Sequence, residues 1–306
     1  MPRWDGGDAA KRSLPPPYNK NLAGVLRHLN RHTRPGQIRL ANEWVTASYL
    51  RAGMSLLEKH LGPGSSCQCS HPHDRSSLLS FLSQRVVTEE MAHNPEPFSR
   101  NTKPAGLRDR WKNHKHYIAD LVNFAVWLEN YLPGYRNARA AIVKELTSAP
   151  DFAKAVHEVA YWHTDQAANL LPVRLIHALI AAGEEDPAIT AAIDRAYRSY
   201  LGMWRSLYKE VMATRQMRLR PGLTIKDFTS ALSAATDGII VHVTGGLKTN
   251  VLDRQNRKSL MGHVTLAIIY AYLIPEDEAN GQTLDQAIAE KFSKTALAAE
   301  HSAQPR

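Results

Sequence analysis

The sequence predicts an all-α protein. Three observations carry that expectation. Apolar residues recur at three- and four-residue spacing in segment after segment, no stretch alternates apolar with polar residues as a half-buried strand does, and Pro35-Gly36, Gly62-Pro-Gly64 and Pro133-Gly134 punctuate the periodic segments. The one β-like string, Gly238-Ile-Ile-Val-His-Val243, reads as the end of a buried helix.

Taken in order, residues 1–18 read as disordered, ending in Pro15-Pro-Pro-Tyr18. Asn21–His32 suits a short helix with Leu22, Val25, Leu26 and Leu29 on one side. A longer helix is expected over Ile38–Leu61, carried by Leu40, Trp44, Ala47, Leu50, Met54 and Leu57. After a polar loop, Ser65–Asp74, Ser76 or Ser77 caps a helix bearing Leu78, Leu79, Phe81, Leu82, Val86 and Val87. Asn94-Pro-Glu-Pro97 breaks it. A further helix places Tyr117, Leu121, Phe124 and Leu128 on one face and closes near Pro133-Gly134. Beyond it, helical periods cover 136–147, 151–170, 172–183, 187–215, 224–243, 256–274 and 283–300.

The net charge of +9 is concentrated. Residues 1–36 hold seven basic residues against two acidic ones, and residues 100–116 hold six against one, so the rest of the chain is near neutral. A solubilising surface would spread its charge, whereas two focused basic segments suit a polyanion. Neither segment pairs its charge with a long apolar face, and no apolar run reaches the roughly 18–20 residues of a membrane span, so no membrane partner is expected. The first residues lack the apolar region of a signal peptide, which makes a cytoplasmic protein the expectation, nucleoid-associated if the polyanion is DNA.

The stretch from Arg100 to Tyr117 combines cations with small polar side chains and runs into an apolar helix. That arrangement offers donors to phosphates and base edges on one side while a core holds the other. Arg100, Lys103, Arg108, Arg110 and Lys112 are the candidate DNA contacts, because arginine reads guanine bidentately and both residue types bind phosphate. Thr102 suits a helix cap, a phosphate donor or both, and Lys115 a phosphate ligand. Tyr117 fits either a phosphate ligand or a buried residue, and Trp111 is expected in the core.

Thr102-Lys-Pro-Ala-Gly-Leu-Arg-Asp-Arg-Trp-Lys-Asn-His-Lys115 resembles the short recognition helix, turn and following helix start of the TetR-like bacterial transcriptional regulators. Arg218–Gly238 is similar to a loop and late helix found in actinobacterial members of that family. The resemblance implies an N-terminal helix-turn-helix DNA-binding domain over 37–131, preceded by a basic flexible arm over 1–36. It also implies a larger helical domain over 132–306 that dimerises through late helices and binds a small-molecule effector. The implied function is that of a non-catalytic regulator, most simply a repressor, acting as a homodimer on a palindromic operator in double-stranded DNA. The alternative is a ligand-binding or interaction protein on the same scaffold, with weak, sequence-indifferent nucleic-acid binding. There the two prolines of 94–101, which replace a compact turn, would mark lost readout.

Aromatic and histidine side chains concentrate in the second half. His157, Tyr161 and Asp165 share one helical face, with Trp162 beside them, and His177, Tyr200 and Trp204 follow. Apolar walls with a few convergent polar groups describe an effector pocket, although such stripes also build ordinary core. No nucleophile elbow, phosphate loop or metalloprotease motif accompanies them, so neither enzyme activity nor a cofactor is expected. Cys67, Cys69, His71 and His73 crowd four zinc-compatible ligands into seven residues. Their C-x-C-x-H-x-H spacing is tighter than tetrahedral zinc sites use, so a polar loop without metal is expected.

Overall fold

The computed structural model describes residues 13–65, 78–100, 104–130, 132–183, 185–247, 249–278 and 281–302. It is mostly helical. The helices are α1 (Arg34–Ala41), α2 (Trp44–Leu61), α3 (Gln84–Met91), α4 (Pro104–Arg110), α5 (His114–Ala125), α6 (Leu132–Ser148), α7 (Phe152–Asn169), α8 (Leu171–Ala181), α9 (Pro187–Thr214), α10 (Ile225–Thr244), α11 (Leu260–Tyr272) and α12 (Leu284–Ser302). Among the described residues, four short strands depart from the purely helical expectation. Strand β1 (Met217–Leu219) pairs antiparallel with β4 (Leu273–Pro275), and β2 (Leu252–Asp253) with β3 (Lys258–Ser259). The chain divides into two compact units, residues 1–136 with 167–199, and residues 137–166 with 200–306.

In the first unit α2 packs against α3, α5 and α8. The helix expected over Ile38–Leu61 is broken in two at Asn42, whose side-chain amide donates to the Ile38 carbonyl at 2.9 Å and accepts from the Leu22 amide at 3.1 Å. These bonds end α1, and the Thr46 hydroxyl donates to the Leu40 carbonyl at 2.7 Å across the break. Helix α3 starts at Gln84, capped by Ser83, and not at Ser76 or Ser77, which lie outside the described residues. Helix α5 is capped by Asn113, whose side chain accepts from the His116 amide at 2.9 Å. It ends at Ala125, short of the expected Pro133-Gly134, because the Asn130 side chain takes the Phe124 carbonyl.

The largest correction concerns the N-terminal arm. From Ser13 onward it is neither disordered nor helical. Leu14, Tyr18, Leu22, Val25, Leu26 and Leu29 are all buried in the first unit's core. Only one turn closes locally, the Val25 and Leu26 amides both donating to the Leu22 carbonyl at 2.9 Å, and the next amides go elsewhere. Those of Arg27 and His28 donate to the Asp120 carboxylate, and that of Asn30 donates to the Arg110 carbonyl at 2.7 Å. Leu29 and Trp111 form an antiparallel bridge. Apolar spacing alone cannot separate a helix from a run of turns whose amides find partners on another element.

Close approach matters at Gly53 of α2, where an added Cβ would overlap the Tyr117 hydroxyl and both Leu121 methyl groups. Gly53→Ala is therefore expected to destabilise the first unit by about 1–3 kcal/mol despite alanine's better helix propensity. Urea unfolding checks this, and a neutral or stabilising result would contradict the packing.

In the second unit α10 begins with a capping box. The Thr224 hydroxyl accepts from the Asp227 amide, while the Asp227 carboxylate accepts from the Thr224 amide at 2.8 Å. Gly238–Val243 belongs to α10, with Ile239 and Ile240 buried and Val241 exposed. The helix expected over 256–274 shortens to α11 because its flanks enter β3 and β4.

Candidate functional site

Among the described residues, each unit has a place that gathers chemistry. In the first unit α3 and α4 lie side by side, and Gln84, Arg85, Thr88, Glu89, His93 and Arg108 line one open depression on them, with Arg85 paired to Glu89 at 3.5 Å. The opposite side of α4 and its continuation is core. Leu107, Trp111 and Tyr117 are buried, and Trp111 meets Tyr49 and Tyr117 edge-on at centroid distances of 6.2 and 5.1 Å. Arg108, Lys112 and Lys115 are exposed. The side chain of Arg31 reaches the same region, its guanidinium donating to the Asp109 carbonyl at 3.2 Å.

Asp120 ties the arm to this assembly. Its buried carboxylate accepts from the Arg27 amide at 2.7 Å, from the His28 amide at 3.0 Å and from Trp111 Nε1 at 3.0 Å. Burial pushes the carboxyl above its ordinary range, against the pull of those donors. His28 and His116 rings lie 5.3 Å apart beside it.

The structure redistributes the predicted contacts. Arg110 is not a free cation, for its guanidinium donates to Glu43 at 2.8 Å, to the Gly106 carbonyl at 2.8 Å and to the Thr46 hydroxyl at 3.1 Å, with its side chain 12% exposed. It holds α4 against the start of α2. Tyr117 is wholly buried and its hydroxyl donates to the Tyr49 carbonyl at 3.0 Å, so it is a core residue and not a phosphate ligand. Arg100 donates to the Asn94 carbonyl at 2.7 Å and pairs with Glu96 at 3.7 Å. Thr102 and Lys103 lie outside the described residues, as do Cys67, Cys69, His71 and His73. Gln84 and Arg85 are not singled out by the sequence, where they fall inside a helix expected to start earlier, and Arg31 counts there only as one charge of the basic arm.

In the second unit a cavity with about 90 Å³ of free space is walled by α6, α7, α9, α10 and α11. Of the predicted pocket residues it contains Tyr200 and Trp204. His163, named in the sequence only as a neighbour, lines it as well, with its Nε2 3.2 Å from the Tyr200 hydroxyl. Burial pushes the His163 imidazole down to about 4, the Asp237 charge opposing this only in part. Among the described residues, His157, Tyr161, Trp162 and Asp165 are not in the lining. His157 stands beside His263 at 4.6 Å, Tyr161 lies under the Arg257 guanidinium and Asp165 pairs with Arg254 at 2.8 Å. Trp162 packs in the adjoining apolar cluster, and His177 belongs to the first unit. A helical face of α7 was legible in the sequence, but which face meets the hollow depends on the neighbouring helices.

Among the described residues, no group of three or more His, Cys, Asp or Glu side chains is placed to hold a metal, and no helix is long and apolar enough to cross a membrane. No protein-family model, curated protein or solved structure matches the chain.

Proposed function

We propose that the chain is a sequence-specific regulator of transcription that binds double-stranded DNA, most simply a repressor of the TetR-like kind, and responds to a small-molecule effector. The observation that carries this reading is the two-sidedness of α4 and the turn after it. Leu107, Trp111 and Tyr117 anchor one side in the core, while Arg108, Lys112 and Lys115 stand exposed on the other. Exposed cations on a rigid backing supply phosphate neutralisation and a fixed register, and an arginine near the helix end can reach a base edge. Arg31, fastened to the Asp109 carbonyl, extends this face with the arm. Residues 84–110 would then serve as the helix-turn-helix, with α3 as its first helix.

Homodimerisation is part of the proposal. Its support is the apolar surface left on α10, α11 and α12, where Tyr270 is 78% and Phe292 70% exposed. A two-fold dimer would match a palindromic operator. The cavity of the second unit is the place for an effector.

The test is selection of duplexes from genomic fragments at about 150 mM salt, where non-specific phosphate binding is suppressed. Affinity for the selected duplex is then measured for an Arg108→Glu, Lys112→Glu double variant. Affinity is expected to fall at least about 100-fold with the unfolding midpoint unchanged, since two exposed contacts are reversed and no packed group is touched. Arg110 is excluded from this variant, because its reversal would break the pair with Glu43. Unchanged affinity in the double variant would sink the assignment, and enrichment of no sequence would leave the weak, sequence-indifferent alternative.

A further inference from the structure

We propose that the cavity of the second unit binds a neutral, single-ring aromatic molecule carrying one hydroxyl or similar hydrogen-bonding group. The inference rests on the effector part of the proposed function and narrows it to a ligand class.

The walls decide the class. Phe152, Trp204 and Phe228 present rings, and no Lys, Arg, Asp or Glu occurs among the residues lining the cavity. An ionised ligand would lose its hydration there without a counter-charge. His163 does not supply one, for its imidazole is neutral at physiological pH. The free space of about 90 Å³ is well below the roughly 150 Å³ of a cavity that admits benzene, so one ring is the upper limit and is admitted only as the wall adjusts. Met212 and Met261 form part of the wall, and their unbranched, adaptable side chains supply the adjustment that one ring needs.

The wall also holds an unsatisfied hydroxyl, that of Ser233. The hydroxyls of Thr229 and Thr236, which also line the cavity, donate to the Ile225 and Leu232 carbonyls within α10. Ser233 Oγ is enclosed and has no hydrogen-bond partner among the described residues. An enclosed hydroxyl without a partner is costly, and a ligand hydroxyl would complete it. The Tyr200–His163 pair adds a second polar point on the wall.

The experiment adds four matched compounds, p-cresol, toluene, 4-methylbenzoate and 4-methylbenzylammonium, to the full chain in the absence of DNA. Binding is read by calorimetry and by the methyl resonances of Met212 and Met261. The expected result is that p-cresol shifts both resonances and binds about fivefold more tightly than toluene. Both charged compounds should bind at least about tenfold more weakly than p-cresol. Ser233→Ala is expected to weaken p-cresol about fivefold, leave toluene unchanged and not lower the unfolding midpoint. The inference is overturned if neither p-cresol nor toluene moves the two methyl resonances. It is equally overturned if the carboxylate binds as well as p-cresol, or if Ser233→Ala holds p-cresol as tightly as the parent chain. Because no DNA is present, a negative result leaves the DNA reading standing, and a failed duplex selection leaves the ligand result standing.

Discussion

Trp111→Ala is expected to destabilise the first unit by about 4 kcal/mol, enough to unfold a marginal domain at physiological temperature. Trp111 has no exposed surface, meets two tyrosine rings edge-on, bridges to Leu29 and donates Nε1 to Asp120. Truncation therefore removes an aromatic core residue and deprives a buried carboxylate of a donor at once. Trp111→Phe separates the two effects. It keeps a ring but removes the N–H, and should cost about 1–3 kcal/mol. Urea midpoints at constant slope measure both. A Trp111→Ala midpoint within about 1 kcal/mol of the parent would mean that the arm and α4 do not share this core. Trp111 holds α4, and α4 holds Arg108.

Acid is expected to weaken the second unit through His163. The folded pKa lies at about 4, below the ordinary 6.5, so the unfolded chain binds this proton more readily than the folded one. The stability contributed by keeping the ring neutral is complete above about 6.5 and is lost as pH falls from there through about 4. Between pH 7 and pH 5 the loss comes to about 1–2 kcal/mol, allowing for the partial exposure of the ring. His157 shifts in the same direction, by burial and then by the neighbouring His263, and adds to the slope. The measurement compares unfolding free energies of the parent and His163→Phe at the two pH values. The variant should lose less stability on acidification. Parallel pH profiles would show that His163 is not held neutral by the fold.

Long helices were legible because their signals are local. Apolar period and capping side chains lie within a few residues of the bonds they govern, so α7 to α10 and α12 fall close to their expected ranges. Thr224 and Asp227, three residues apart, satisfy each other at the start of α10 whatever surrounds them. Short segments were not legible in the same way. Leu22, Val25, Leu26 and Leu29 are spaced as on a helix, yet after one local turn the amides of Arg27, His28 and Asn30 are taken by Asp120 and Arg110, 80 to 93 residues away. Strand β1 pairs with β4 across more than 50 residues, a partnership no local pattern encodes.

The candidate site divides along the same line. The sequence by itself determined the residue types and their concentration, basic side chains around Arg108 and aromatic side chains around Trp204. Only the tertiary structure decided which of them are available. Arg110 and Arg108 stand two residues apart with the same charge, but Glu43 and Thr46 claim the first and leave the second in the open. Tyr117 is spent on the Tyr49 carbonyl, and of the α7 stripe only the face that includes His163 borders the cavity. The physical reason is that burial and pairing belong to the neighbours a side chain meets, and those neighbours are distant in the chain.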